Sequence, residues 1–219
     1  MEKKFSVIVP TMFRCIDITN ELLANLYEDP FVSEVILIDN TENDSNVSKI
    51  LFNDKLQIHS QNKNIYVNPA WNLGVSIAKE DYIAIINDDV TVPEQIFTGL
   101  SQANMETMGV IGACHPSIQQ VESPKRFIIN EFNLVDIPER TWGFGIFMVM
   151  HKNHYVTIPE EMKVWCGDDY LYHQNRIAGR LNYLMTFPIQ TKMSTTSDDP
   201  AFDEIKNKDV EIYNTKYKV

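Results

Sequence analysis

Two acidic clusters have the composition and setting to do chemistry. The first, Asn87-Asp88-Asp89, arrests the apolar run "YIAII" at 82–86. Hard divalent cations take oxygen ligands, commonly one or two carboxylates completed by substrate phosphates and water. Acids at a strand-to-loop turn can aim one carboxylate at such a cation and another at a ribose hydroxyl or a backbone amide. The same residues also suit a plain turn ahead of a helix opened by Pro93, because Asx side chains bond their own backbone there. The second cluster is Gly167-Asp168-Asp169. Acids in the first turn of a helix gain from its dipole, so capping alone accounts for them. A carboxylate within reach of an acceptor hydroxyl can equally remove its proton as the hydroxyl attacks. Trp165 and Tyr170 nearby could supply an apolar wall. A third group is Pro10-Thr11 with Arg14 and Asp39. A carboxylate at a strand end can accept from the imide N–H of a pyrimidine, while the loop after the first strand covers the ring. Arg14 can instead pair with Asp17 or Glu21 along a helix.

These residues need a scaffold that brings strand ends together. "FSVIVP" (5–10), "EVILIDN" (34–40) and "DYIAIIND" (81–88) are continuous and β-branched, the pattern of strands covered on both faces. "KLQIHS" (55–60) is a weaker strand. Helices are predicted over 16–27, over 69–79 with Asn68 as N-cap and Pro69 at the first position, and over 93–104. Strand and helix alternate, which predicts an α/β fold with a doubly wound, mostly parallel sheet over about 1–115. In such sheets ligands gather beyond the carboxyl ends of the strands, where Pro10-Thr11, Asp39-Asn40 and Asn87-Asp88-Asp89 all fall. Further on, "VIGACHP" (110–116) reads as a strand and "KRFIINEFNLVDI" (125–137) as a partly exposed hairpin. "RTWGFGIFMVMHK" (140–152) reads as a glycine-punctuated turn into a strand. A helix is expected from near Asp168 to Gly179 as its C′ residue, then a last strand at 180–185. The polar tail from Ser194 reads as a loose arm or a segment ordered by ligand.

The chain has 219 residues, 44% of them hydrophobic, and a net charge of −11. That composition builds one core, and the charge disfavours polyanionic partners. Cys15, Cys114 and Cys166 are odd in number and lack CxxC spacing, so they read as reduced thiols in a cytoplasmic protein. The apolar start is too short for a secretory signal, and no run reaches the roughly 18 apolar residues of a membrane span.

Five segments, "FSVIVPTMFR", "VILIDNT", "NPAWNLGVSIAKEDYIAIINDDV", "TWGFGIFMVMHK" and "WCGDDYLYHQNRIAG", resemble in order and spacing the family-2 nucleotide-sugar glycosyltransferases of GT-A fold. The resemblance implies a single catalytic domain. Its donor half is about 1–115, its acceptor half about 116–190, and a C-terminal tail covers 191–219. It implies that Pro10, Thr11, Arg14, Asp39 and Asp88 hold the nucleotide sugar, and that Asn72 belongs to a helix packed under the diphosphate. Asn87-Asp88-Asp89 matches the family's D-x-D motif with Asn in the first slot, making Asp89 and Asn87 ligands of Mn²⁺ or Mg²⁺. Asp169, with Asp168, becomes the base, while Trp142, Gly143 and Trp165 shape the acceptor pocket. The implied reaction moves a sugar from a UDP-type donor to a glycan or other hydroxyl and inverts the anomeric centre. This sequence departs from the family by lacking a histidine after the last strand, where Lys192 and Met193 stand; Lys192 could touch the diphosphate or simply be solvated. Two other readings stay open: a non-catalytic binder of nucleotide or glycan, and a transferase acting on hydroxylated bases of DNA.

Overall fold

The computed structural model describes residues 2–42, 44–129, 131–192 and 199–218. The first half runs β1 (Phe5–Thr11), α1 (Ile16–Glu28), β2 (Val32–Asp39), β3 (Leu56–Ser60), α2 (Val67–Ile77), β4 (Tyr82–Ile86), β5 (Val90–Thr91) and α3 (Ile96–Ser101). The second half runs β6 (Met108–Ala113), β7 (Ile118–Gln120), β8 (Leu134–Ile137), β9 (Phe147–His151), α4 (Gly167–Ile177), β10 (Leu181–Met185), β11 (Ile189–Thr191) and α5 (Asp203–Ile212). Among the described residues the strands form an eight-stranded sheet, ordered β3-β2-β1-β4-β9-β6-β10-β8, and a three-stranded one, β5-β11-β7. β3, β2, β1 and β4 are mutually parallel, as are β6 and β10; β9 and β8 run antiparallel to their neighbours. The fold is thus α/β with the expected mainly parallel central sheet.

The continuous apolar strands are buried on both faces, and alternate residues serve two cores. Val7, Val9, Val35, Leu37, Ala84 and Ile86 pack with α1 and α3; Ile8, Ile36, Ile38, Ile83 and Ile85 pack with α2 and α4. Each such aliphatic side chain contributes about 1.5–3 kcal/mol on full burial. Helix α2 lies close on β1 at Gly74, where a β-carbon would come within 2.3 Å of Ile8. Only glycine permits that approach.

The order β2-β1-β4 sets the site. β1 stays paired with β2 as far as Thr11↔Asp39, but its ladder with β4 stops at Ile8↔Ile85. Pro10, which has no N–H to give, lies just past that point. The carboxyl ends of β1 and β4 therefore part, and a crevice opens where the strand order reverses.

Five elements differ from expectation. Helix α2 begins at Val67, with Tyr66 at φ 69 ahead of it, so Asn68 is inside the helix and not its cap. Asn68 is drawn in because its amide binds Met162 and Trp165 carbonyls across the fold. Pro69 is still tolerated, since first-turn N–H groups have no helical partner. Pro93 does not open α3: Glu94 N–H bonds Phe127 O, Gln95 is left-handed, and the helix is confined to Ile96–Ser101. Among its described residues the 125–137 segment forms no hairpin: the strand there is Leu134–Ile137, and its partner is β10. β10 is followed by β11, so it is not the last strand. The tail is no loose arm: Asp203–Ile212 is a helix with Asp209 buried, while 194–198 lie outside the described residues. β9 also comes from the second half yet sits between β4 and β6, so both halves share one sheet.

Candidate active site

A cleft of about 500 Å³ opens over the parted ends of β1 and β4, within the usual range for small-molecule sites. On one side it is lined by Pro10, Thr11, Arg14, Asn87, Asp88 and Asp89, on the other by Arg140, Trp142, Gly143, Trp165, Asp168 and Asp169. With Val210 also in the lining, residues up to 200 positions apart in sequence face one space.

Thr11 organises the first side. Its hydroxyl donates to Asp88 Oδ2 at 2.6 Å and accepts from Phe13 N–H at 2.8 Å, while its carbonyl receives Asn40 N–H at 2.9 Å. One residue thereby ties together the ends of β1, β2 and β4. Thr19 Oγ1 donates to the Asp88 carbonyl at 3.1 Å, and Lys192 N–H to the Asp89 carbonyl at 3.1 Å. Burial, with Asp89 alongside, pushes the Asp88 carboxyl up to about 7 against the pull of Thr11. The donors here are oxygens, and two crowded carboxylates under burial are stabilised by a cation, so the set suits a hard divalent ion. Among the described residues no three His, Cys, Asp or Glu side chains form a metal cage, so the remaining ligands would come from diphosphate and water.

The tighter hold of Asp88 on its proton has a measurable sign. Between about pH 4 and pH 7 the unfolded chain has released this proton while the folded chain keeps it, so stability falls as pH rises across the window. The melting temperature of the wild type, relative to Asp88→Asn, is expected to decline over that range. A pH-independent difference would contradict the assignment.

The second side is set by α4. Cys166 takes φ 60 immediately before the helix, and the chain turns so that Asp168 and Asp169 enter the cleft from the first helical turn. Arg140 pairs with both acids: Nη1 lies 3.0 Å from Asp168 Oδ2 and Nε 2.5 Å from Asp169 Oδ1. Burial works against the Arg140 charge, but the two carboxylates outweigh it and hold its proton more tightly than usual. Burial raises Asp168 despite Arg140, and Asp169 adds to the effect. The Cys166 thiol is pushed up to about 12 by burial and the neighbouring acids, so it stays protonated and is no nucleophile. All three cysteines are free.

Aromatic rings and the C-terminal segment complete the walls. Trp142, 58% exposed, meets His115 edge-on with centroids 5.1 Å apart, and Gly143 beside it adopts φ 74. Lys206 Nζ stands 5.2 Å over the Trp165 ring. Arg14 Nη2 pairs with Asp199 Oδ2 at 2.9 Å, and its Cζ lies 5.8 Å from the centroid of the Phe202 ring, joining the loop after β1 to the start of the C-terminal segment.

Two sequence-predicted residues do not reach the cleft. Asp39 is 1% exposed, with its carboxylate accepting from Thr41 N–H, Thr41 Oγ1 and Ser60 Oγ. The residue that enters in its place is Asn40, whose buried Oδ1 has no hydrogen-bond partner among the described residues. Asn72 spends its amide on the Ile158 carbonyl and takes bonds from Ile158 N–H and Tyr155 OH, so it pins the 155–158 loop. Lys192 is exposed beside Cys15, outside the cleft lining, and Met193 lies outside the described residues. Arg140 and the Phe202–Val210 wall are absent from the sequence-based site, and Asn40 enters it only as part of the Asp39-Asn40 strand end. Arg140 carries one signal, a cation two residues before Trp142, and Asn40 another, its place at the end of β2; the wall carries none.

The sequence profile described as glycosyl transferase family 2 matches residues 6–157, well over half of the chain. No curated protein sequence matches. Among solved structures the chain is similar to TarS of S. aureus, at 17% identity and a TM-score of 0.60, over 98% of this chain and 40% of that one. The TarS 1–349 structure gives 18% identity and 0.59, over 98% and 67%. A mannosyltransferase of Pyrobaculum calidifontis, PcManGT, in complex with GDP-Man and Mn²⁺, gives 14% identity and 0.61, over 90% and 59%. At these identities the likeness concerns the fold, and the chain spans about half the length of full TarS and PcManGT. No helix among the described residues is long and apolar enough to cross a membrane.

Proposed function

The chain belongs to glycosyl transferase family 2, and we propose that it moves a sugar from a nucleoside diphosphate to an acceptor hydroxyl, with a divalent cation and inversion at the anomeric carbon. The supporting observation is the single cleft lined by both acidic clusters, Asn87-Asp88-Asp89 and Asp168-Asp169. Residues 1–219 act as one catalytic unit, with 1–115 holding the donor, 116–190 the acceptor, and the C-terminal segment walling the cleft.

Pro10, Thr11 and Arg14 take the nucleotide end of the donor. Asp88, fixed by Thr11, faces the ribose. Asp89 and Asn87 are the protein ligands for Mn²⁺ or Mg²⁺, which when bound sets positive charge against the departing diphosphate. Asp169 takes the proton of the incoming hydroxyl. Arg140 holds that carboxylate and Asp168 in place as a neighbouring pair. Trp142, Gly143 and Trp165 bound the acceptor, a glycan or another hydroxyl compound. The charge of −11 disfavours a DNA acceptor.

The base falls to Asn40. Its unpaired carbonyl oxygen suits an imide or lactam N–H, which uracil, thymine and guanine present and cytosine does not. UDP-sugars are the first choice and GDP-sugars the second. A thermal-shift screen of UDP-, GDP-, CDP- and dTDP-sugars with and without Mn²⁺ tests this. A donor at about 100 times its dissociation constant adds roughly 2.7 kcal/mol. UDP- or GDP-sugars are expected to raise the melting point with Mn²⁺. A response confined to CDP-sugars would overturn the assignment of Asn40.

A further inference from the structure

The loop that delivers the acid pair is held by a residue far outside the stretch matched by the family profile. Residues 162–166 have no regular secondary structure, so their backbone groups need partners elsewhere. On one side α2 supplies them: Asn68 Nδ2 donates to the Met162 and Trp165 carbonyls, at 3.3 and 3.0 Å, and Asn68 N–H to the Lys163 carbonyl at 2.9 Å. On the other side stands Asp209, 1% exposed on α5. Its carboxylate accepts from three successive N–H groups: Lys163 at 3.0 Å, Val164 at 2.7 Å and Trp165 at 2.9 Å. Successive backbone N–H groups converging on one point make a concavity for an anion. Here the chain fills it with its own side chain.

The neighbouring turns of the C-terminal helix grip the same region. Lys206, one turn before Asp209, covers the Trp165 ring. Tyr213, one turn after, is buried and bonded through its hydroxyl to His173 Nδ1, four residues beyond Asp169 on α4. The start of α4 is pressed against α2 as well, since a β-carbon on Gly167 would come within 2.1 Å of Asn68 Oδ1. The loop is thus clamped between α2 and α5 immediately before Asp168 and Asp169.

We propose that Asp209 is a positioning residue for the transfer reaction, holding 163–165 so that Trp165 and Asp169 face the cleft correctly. The proposal rests on the function given above. It assigns the reaction a requirement in the C-terminal helix that is separate from donor binding, because Asp209 touches none of Thr11, Asp88 or Asp89. Substitution should therefore lower kcat while leaving the donor half as it was. A misplacement of about 1 Å at a reacting group can cost on the order of a hundredfold in rate.

The test compares the wild-type chain with Asp209→Asn, which keeps the volume but turns amide hydrogens toward the loop N–H groups. Three experiments are run: hydrogen exchange by residue, the melting shift given by UDP- and GDP-sugars with Mn²⁺, and kinetics of nucleoside diphosphate release giving kcat and KM. Exchange at Lys163, Val164 and Trp165 is expected to quicken at least about tenfold with β1 and β4 unchanged. The donor shift should persist and kcat should fall roughly ten- to a hundredfold. Unchanged exchange in the loop, or faster exchange throughout β1 and β4, would overturn the proposal. So would a loosened loop with unaltered kcat. If Asp209→Asn does not fold, Asp209→Glu, one methylene longer with the same charge and acceptor oxygens, carries the same comparison. A wild type that cleaves no nucleotide sugar removes the functional reading and the reaction role of Asp209 with it. The exchange pattern, which needs no substrate, then shows separately whether the clamp exists.

Discussion

Asp169→Asn is expected to lower the transfer rate by about 10²–10⁴-fold while leaving donor binding intact. An amide has nearly the shape of the carboxylate and still accepts a hydrogen bond, but it cannot take a proton at neutral pH. Arg140 would lose one charged partner and keep Asp168, so the local frame survives. The donor side, built from Thr11 and the Asn87-Asp88-Asp89 turn, comes from separate strand ends and is untouched. The measurement is initial rate of nucleoside diphosphate release, with the donor-induced melting shift taken on the same samples. A non-catalytic binder would show no rate to lose in either protein. A variant as fast as the wild type would transfer the base role to another group.

Asp89→Ala is expected to abolish the part of donor stabilisation that depends on Mn²⁺. Asp89 is 5% exposed at the end of β4, and its carbonyl receives Lys192 N–H, so the variant has its own baseline stability. Taking the difference with and without Mn²⁺ within each protein cancels that baseline. In the wild type, saturation at about 100 times the dissociation constant is worth roughly 2.7 kcal/mol. In Asp89→Ala the metal-dependent increment should vanish, and turnover with it. An increment that survives would move the cation to other ligands or remove it from the reaction.

Much of this arrangement was legible in the sequence, for identifiable reasons. β1, β2 and β4 are covered on both faces, so burial leaves unbroken β-branched runs that show where each strand ends. The acid pair could be placed at a helix start because Gly179, at φ 78, marks the other end. Pro93 misled, because a proline before an apolar stretch looks the same whether it begins a helix or precedes one. Asp39 and Asn40 adjoin at the end of β2, and nothing local says which reaches the cleft; Ser60 and Thr41 decide by claiming Asp39. Asn72 was drawn to the diphosphate by its motif, whereas the 155–158 loop takes its side chain. Arg140 and Asp209 act on partners 28 to 46 residues away, through contacts that only the folded sheet creates.

The central claim is that the crevice between the ends of β1 and β4 grips the diphosphate of a donor beside Asp89 and presents its sugar to Asp169. A crystal structure of the protein soaked with Mn²⁺ and the nucleotide sugar giving the largest melting shift tests it most directly. The diphosphate is expected between Thr11 and the Asn87-Asp88-Asp89 turn, with metal density at Asp89 and the sugar facing Asp169. Donor bound elsewhere, or a cleft left empty of donor and metal, would contradict it.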